Sequence, residues 1–344
     1  MRSIHFSKFQ GPLSILDIPI PTPSESGVVI KVEATGLCRS DWHGWMGHDS
    51  DIKLPHVPGH EFAGTIHTIG TEVKKFKVGD RVTTPFVCGC GKCTYCLRGD
   101  AQVCPTQTQP GFTHFGSFAE YVAIDNADFN LITIPTEVSF ATAAALGCRF
   151  ATSYRGLIKR AKVKAGEKVV IYGCGGVGLS AIMIAKSQGA DLYAVDVNDE
   201  ALKIAASLGA QTINSRNTDP EAFMQNLGGA DIAVDALGSE ATASASVLSL
   251  ARRGRHLQLG LLLTPTGLTA MPMARVIAWE LDLLGSHGMA AKDYPEMLAL
   301  VASGALNPSQ LVKREISLEE GAVALTELDK QAVGGITIIS PTLK

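Results

Sequence analysis

No apolar stretch in this chain approaches the ~18–20 residues needed to cross a bilayer, so no membrane partner is expected. Surplus positive charge is missing too. The 30 Lys and Arg stand against 33 Asp and Glu, for a formal net charge of −3 and a pI near 6.3. That balance gives no support for wrapping nucleic acid or docking on an anionic surface. Met1–Gln10 lacks a basic region followed by an apolar one, so no secretory signal is visible and a cytoplasmic location is expected. Internal repeats and low-complexity tracts are also lacking. Charged residues make up only 18% of the chain against 46% hydrophobic, the composition of a globular protein with a sizeable core. At 344 residues, such a core should be split between two domains.

The chain does have cysteines, eight of them, and they are grouped. A large chain without an export signal sits in a reducing compartment, where clustered cysteines serve as metal ligands or catalytic groups rather than disulfides. Cys90-x2-Cys93-x2-Cys96-x7-Cys104 has the spacing of a closed zinc site, in which four thiolates at ~2.3 Å leave no place for a substrate. An iron–sulfur cluster or free thiols are the alternatives. Cys88 stands next to this set as a possible competitor, though Cys90 gives the better spacing. Cys38, His60 and Cys148 are dispersed around the loop. Two thiolates and an imidazole are a known ligand set for zinc that keeps one position open, yet a lone buried cysteine is more often an inert small hydrophobe. Six cysteines are thus assigned to two zinc ions, with Cys88 and Cys174 spare.

Texture changes near Cys148. Before it, short strand-like runs (Val28–Ala34, Phe62–Ile69, Asp80–Pro85, Ala119–Ile124) alternate with Gly and Pro, as in a mostly β, barrel-like domain. After it, strands and helices alternate: Lys168–Tyr172, Val177–Ser187, Asp191–Asp196, Asp199–Leu208 stopped by Gly209, then Asp231–Asp235 and His256–Leu261. Such alternation implies α/β architecture, a doubly wound parallel sheet. A helix over Tyr294–Ser303 and a strand over Ile336–Ile339 close the chain. The expected division is a first part of one domain over 1–149, a second domain over 150–288, and the remainder of the first over 289–344.

Gly173-Cys174-Gly175-Gly176-Val177-Gly178 follows a strand and opens a helix, the context a dinucleotide fingerprint requires. The first glycine permits the turn, the second lets backbone approach a pyrophosphate, and the third lets helix pack on strand. Asp196 ends the next strand, where a carboxylate accepts from the adenosine ribose hydroxyls and repels a 2′-phosphate. NAD is therefore expected over NADP. The plainer alternative has Asp196 capping the helix that begins near Asn198.

These motifs together resemble the zinc-dependent alcohol dehydrogenases of the medium-chain dehydrogenase/reductase family, over essentially the whole length. The resemblance rests on the run Gly36-Leu37-Cys38-Arg39-Ser40-Asp41-Trp42-His43, on Gly59-His60-Glu61, on Gly79-Asp80-Arg81-Val82, on the four-cysteine loop, on Phe118-Ala119-Glu120-Tyr121 and on the glycine fingerprint. It implies a GroES-like catalytic domain beside a Rossmann coenzyme domain. It also implies reversible conversion of alcohols to aldehydes or ketones by zinc-assisted hydride transfer to NAD, and assembly as a homodimer or homotetramer. Cys38, His60 and Cys148 would hold the catalytic zinc, with Glu61 behind it and able to approach. Asp41 would hold the free ring nitrogen of His60. Ser40 and His43 would carry the alcohol proton away, Arg39 would contact the pyrophosphate, and Thr152 would pack on the nicotinamide. Trp45, Phe86, Phe112 and Phe115 are candidates for an apolar substrate pocket, or equally for core; His48 could stand at its rim. Gly335 occupies a place where many relatives carry an arginine before the last strand. Two other readings stay open, a polyol or formaldehyde-type dehydrogenase on the same scaffold and a non-catalytic zinc-bearing sensor of nucleotides.

Overall fold

The computed structural model describes residues 1–264, 266–330 and 334–343. It contains two compact units. One comprises Met1–Ala151 with Gly288–Lys344, the other Thr152–His287. No helix among the described residues is long and apolar enough to cross a membrane.

The continuous unit is built on six parallel strands. Across the sheet they run Gln211–Asn214, Asp191–Asp196, Lys168–Tyr172, Ala230–Asp235, Leu250–Gln258 and Asp282–Gly285. The order reverses beside Lys168–Tyr172, the first strand in the chain, and at such a switch point doubly wound sheets bind their ligands. Val169, Val170 and Ile171 are successive and all fully buried, as a strand covered on both faces must be. Gly176–Ser187 follows as a helix whose Leu179, Ile182 and Ile184 are buried. The strand expected over His256–Leu261 instead spans Leu250–Gln258. Its polar residues hid it: Arg252 lies over the Trp279 ring and Arg255 pairs with Glu167.

In the other unit a long strand, Val28–Leu37, pairs antiparallel with Phe62–Ile69, Tyr121–Ile124 and Ile336–Ile339. Phe62–Ile69 continues to Arg81–Thr83 and Ile132–Thr133, while Ile336–Ile339 also pairs in parallel with Val312–Ile316. The strand expected over Asp80–Pro85 shortens to Arg81–Thr83. Val28, Ile30, Val32, Phe62, Ile66 and Val82 fill a core between these strands. Register matters here. Thr35 lies opposite Phe62, so Cys38, just past the end of one strand, and His60, just before the start of the other, emerge at the same edge. Cys148 arrives from elsewhere, in the short π-helical segment Leu146–Phe150.

Candidate metal centres and dinucleotide turn

All eight cysteines are free. The sulfurs of Cys90, Cys93, Cys96 and Cys104 lie within 4.8 Å of one another. Four thiolates ~2.3 Å from a shared zinc stand about 3.8 Å apart at the corners of a tetrahedron, and Cys93 and Cys104 are separated by 3.8 Å. Local structure helps assemble them. Cys93 caps the helix Thr94–Arg98, its sulfur accepting from the Cys96 N–H, and Gly99 ends that helix at φ +93°. Cys88 takes no part. Its thiol is buried against Thr84 and Pro85, and it belongs to the neighbouring apolar core.

A second group joins Cys38, His60 and Cys148, one ligand atom from each lying within 4.8 Å of the others. His60 is fully buried. Its Nδ1 lies 2.9 Å from Asp41 Oδ1, while its Nε2 is buried without a hydrogen-bond partner among the described residues. A buried ring nitrogen left so needs an electrophile or a donor, and the two neighbouring sulfurs make that a soft divalent metal. The residues fit zinc. Asp41 is anchored in turn, accepting from the backbone N–H groups of Cys38 and Gly59. Burial opposes the His60 charge, but the Asp41 charge and hydrogen bond outweigh it and raise the imidazole well above its ordinary value. Cys38 is held well below the ordinary thiol value, first by its hydrogen bond with Cys148 and also by the Arg149 charge; Cys148 is pushed correspondingly upward.

Glu61 is buried behind this group, but its carboxylate belongs to another residue. Both oxygens are engaged by the Arg149 guanidinium, and Oε1 also accepts from the backbone N–H of Cys148 at 2.8 Å. Arg149 was not singled out from the sequence. Nothing local marks it, since its partner is 88 residues away.

Ser40 and His43 lie in the helix Arg39–Met46, which begins directly after Cys38. His43 Nδ1 is 3.0 Å from His48 Nδ1. Burial first, then the nearby His48 and Arg39 charges, hold His43 below the ordinary imidazole range. Arg39 is exposed, pairing with Asp329 at 2.9 Å and lying over Trp42. Of the four aromatics, Phe112 and Phe86 stand with ring centroids 5.2 and 6.0 Å from His60. Trp45 packs among Phe6, Phe9 and Phe112 and donates to Gly11 O. Phe115 makes its ring contacts edge-on to His5 and His56.

In the parallel-sheet unit the glycine turn has the shape a dinucleotide needs. Gly173 sits at φ +94°, a Cβ on Gly178 would strike Gly173 O at 1.8 Å, and Gly175 faces open space. The helix starts at Gly176, followed by Val177, so its free N–H groups point where phosphates bind. Asp196 Oδ2 accepts from Cys174 N–H at 2.6 Å, and Oδ1 from the Val197 and Asn198 N–H groups. Asp196 is not the helix cap; Asn198 is, accepting from Glu200 and Ala201 N–H. Thr152, buried, accepts at its carbonyl from Ser286.

Residues 24–136 match the family described as alcohol dehydrogenase GroES-like domain, and residues 176–303 match zinc-binding dehydrogenase. The chain is 33% identical over 356 residues to an NAD-dependent alcohol dehydrogenase of Sulfurisphaera tokodaii, covering 99% of this chain and 100% of that one. It is 34% identical over 309 residues to an alcohol dehydrogenase of Geobacillus stearothermophilus, covering 88% and 90%. Among solved structures, benzyl alcohol dehydrogenase from Acinetobacter calcoaceticus superposes with a TM-score of 0.91 at 28% identity, covering 98% of each chain. With a GroES-like unit, a Rossmann unit and two separate metal-ligand sets accounted for, the chain belongs to the zinc-type alcohol dehydrogenases of the medium-chain dehydrogenase/reductase family.

Proposed function

We propose that this protein is an NAD- and zinc-dependent alcohol dehydrogenase, interconverting alcohols with aldehydes or ketones. The observation that carries the reading is the unpartnered, buried Nε2 of His60 beside the Cys38 and Cys148 sulfurs. Zinc held by these three residues would supply Lewis acidity toward the substrate oxygen, and NAD held by the Gly173–Gly178 turn would supply the hydride acceptor. Asp41 fixes the His60 tautomer and makes Nε2 the better ligand. Ser40 and His43, on the helix that Cys38 begins, take up the alcohol proton; an imidazole held below its ordinary range is neutral at pH 7 and free to accept one. Phe86 and Phe112 flank His60 and favour an apolar alcohol over a sugar. The four-cysteine loop holds a second zinc that is structural. A thiolate as third ligand, Cys148, favours this reading over a polyol dehydrogenase.

The test is NADH formation, followed by absorbance, across ethanol, benzyl alcohol, sorbitol and hydroxymethyl-glutathione. Turnover of the first two that disappears with chelation and returns with zinc is expected. Saturation by sorbitol alone, or turnover indifferent to stripping of both metals, rules the reading out.

A further inference from the structure

Accepting the metal reading above, we propose that Arg149 is the positioning residue of the Cys38–His60–Cys148 centre: it holds Glu61 away from the metal and binds the three ligand-bearing segments together. Its guanidinium grips the Glu61 carboxylate through Nε and Nη2, while Nη1 donates to Leu37 O at 3.1 Å, the residue before Cys38. Glu61 Oε1 accepts further from the Cys148 and Arg149 N–H groups at 2.8 and 3.0 Å. One buried pair therefore reaches the segment of each ligand: Leu37–Cys38, His60–Glu61 and Cys148–Arg149.

Two glycines make room for it. A Cβ on Gly36 would lie 2.7 Å from Glu61 Oε2 and 2.9 Å from Arg149 Nη2, and one on Gly147 would lie 2.9 Å from the Glu61 side chain. Neither has the positive φ that demands glycine. Space for the ion pair explains both.

Charge explains the direction of the effect. Two thiolates balance a divalent ion, so the carboxylate of Glu61, fully buried, needs a cation of its own. Arg149 is that cation. Without it, a metal held by the adjacent Cys38, His60 and Cys148 would be the cation left to attract Glu61, and a carboxylate bound there would compete with an alcohol oxygen.

The experiment compares wild type, Arg149→Met, Arg149→Lys and the double variant Arg149→Met/Glu61→Gln, each loaded with cobalt(II). The visible band of cobalt weakens as its coordination number rises, and the four-cysteine site contributes equally to every variant, so difference spectra isolate the other centre. Arg149→Met should weaken the band and lower kcat/KM for alcohol about 10–100-fold, the usual cost of losing a residue that supports metal ligands. The double variant should restore the wild-type band and regain at least about tenfold of the lost rate. A purely structural arginine would alter stability and rate without moving the band. An unchanged band in Arg149→Met, or a double variant no better than the single one, overturns the proposal. Should Arg149→Met fail to fold, Arg149→Lys, which keeps the charge but cannot grip both oxygens and Leu37 O, is read by the same spectral criterion. Wild type that takes up only one cobalt overturns the metal reading itself; two cobalts with an unresponsive band overturn the Arg149 role alone.

Discussion

We propose that one side chain, Asp196, sets cofactor choice. Its carboxylate is pinned by three backbone N–H groups, from Cys174, Val197 and Asn198, so it cannot swing aside for a larger ligand. A ribose with free hydroxyls can donate to it, whereas a 2′-phosphate meets a fixed negative charge. Asp196→Ala should weaken NADH binding about tenfold, the loss of one charge-assisted hydrogen bond, and bring NADPH within reach of it. Titration of nicotinamide fluorescence with each cofactor checks this, and undiminished preference for NADH would remove Asp196 from the role. The sequence singles out Asp196 because its signal is local, a strand ending a fixed distance after a glycine turn. Arg149 gives no such signal, because its meaning lies in a carboxylate brought to it only by folding. Trp45, Phe86, Phe112 and Phe115 fall between. Their aromatic character was plain, but only coordinates separate the two rings beside His60 from the one hydrogen-bonded to Gly11 and the one against His5 and His56.

The four-cysteine loop could be read directly from sequence because its ligands follow one another in a short span. Strand limits were less readable. Val28–Leu37 runs past its expected end at Ala34, where Gly36 and Leu37 still pair with the strand Ile336–Ile339. Pairing with a partner distant in sequence, rather than local propensity, decided that boundary. Within the loop the thiols differ sharply once no metal holds them. Hydrogen bonds from Thr106 and from the Lys92 and Cys93 backbones pull Cys90 down to about 5. Burial pushes Cys96 up to about 12 and, outside the set, Cys88 to about 11 and Cys174 to about 12. A thiol is reactive above its pKa, as thiolate. After chelation at pH 7, iodoacetamide followed by mass mapping should therefore modify Cys90 ahead of Cys88, Cys96 and Cys174, and zinc should protect it. Cys88 should stay unmodified until the pH nears 11. Early labelling of Cys88 would mean that the loop does not keep this arrangement without metal.

The two units differ in how the chain builds them, and their folding should differ accordingly. Thr152–His287 is uninterrupted, and every strand of its sheet finds its partners inside it. Among the described residues, the core cluster holding Val170, Tyr172, Val195, Ala233, Val247 and Leu250 is drawn from this segment. A stretch of this length is within the ~50–200 residues that fold as one domain. Expressed alone as residues 152–287, it should show native-like circular dichroism and a single cooperative urea transition, and should bind NADH. The remaining unit cannot be cut in the same way. Ile336–Ile339, fully buried apart from a slightly accessible Thr337, pairs with both Val28–Leu37 and Val312–Ile316, so a late segment completes a sheet begun near the start of the chain. Deleting residues 334–344 leaves buried strand edges and an open core, which should abolish metal uptake by the Cys38 group. The same deletion should leave dinucleotide binding on the Gly173–Gly178 turn within about twofold of the full chain, because the strands that frame that turn take their partners within Thr152–His287. Loss of NADH binding together with metal uptake, or a fragment 152–287 that unfolds without cooperativity, would show that neither unit stands without the other.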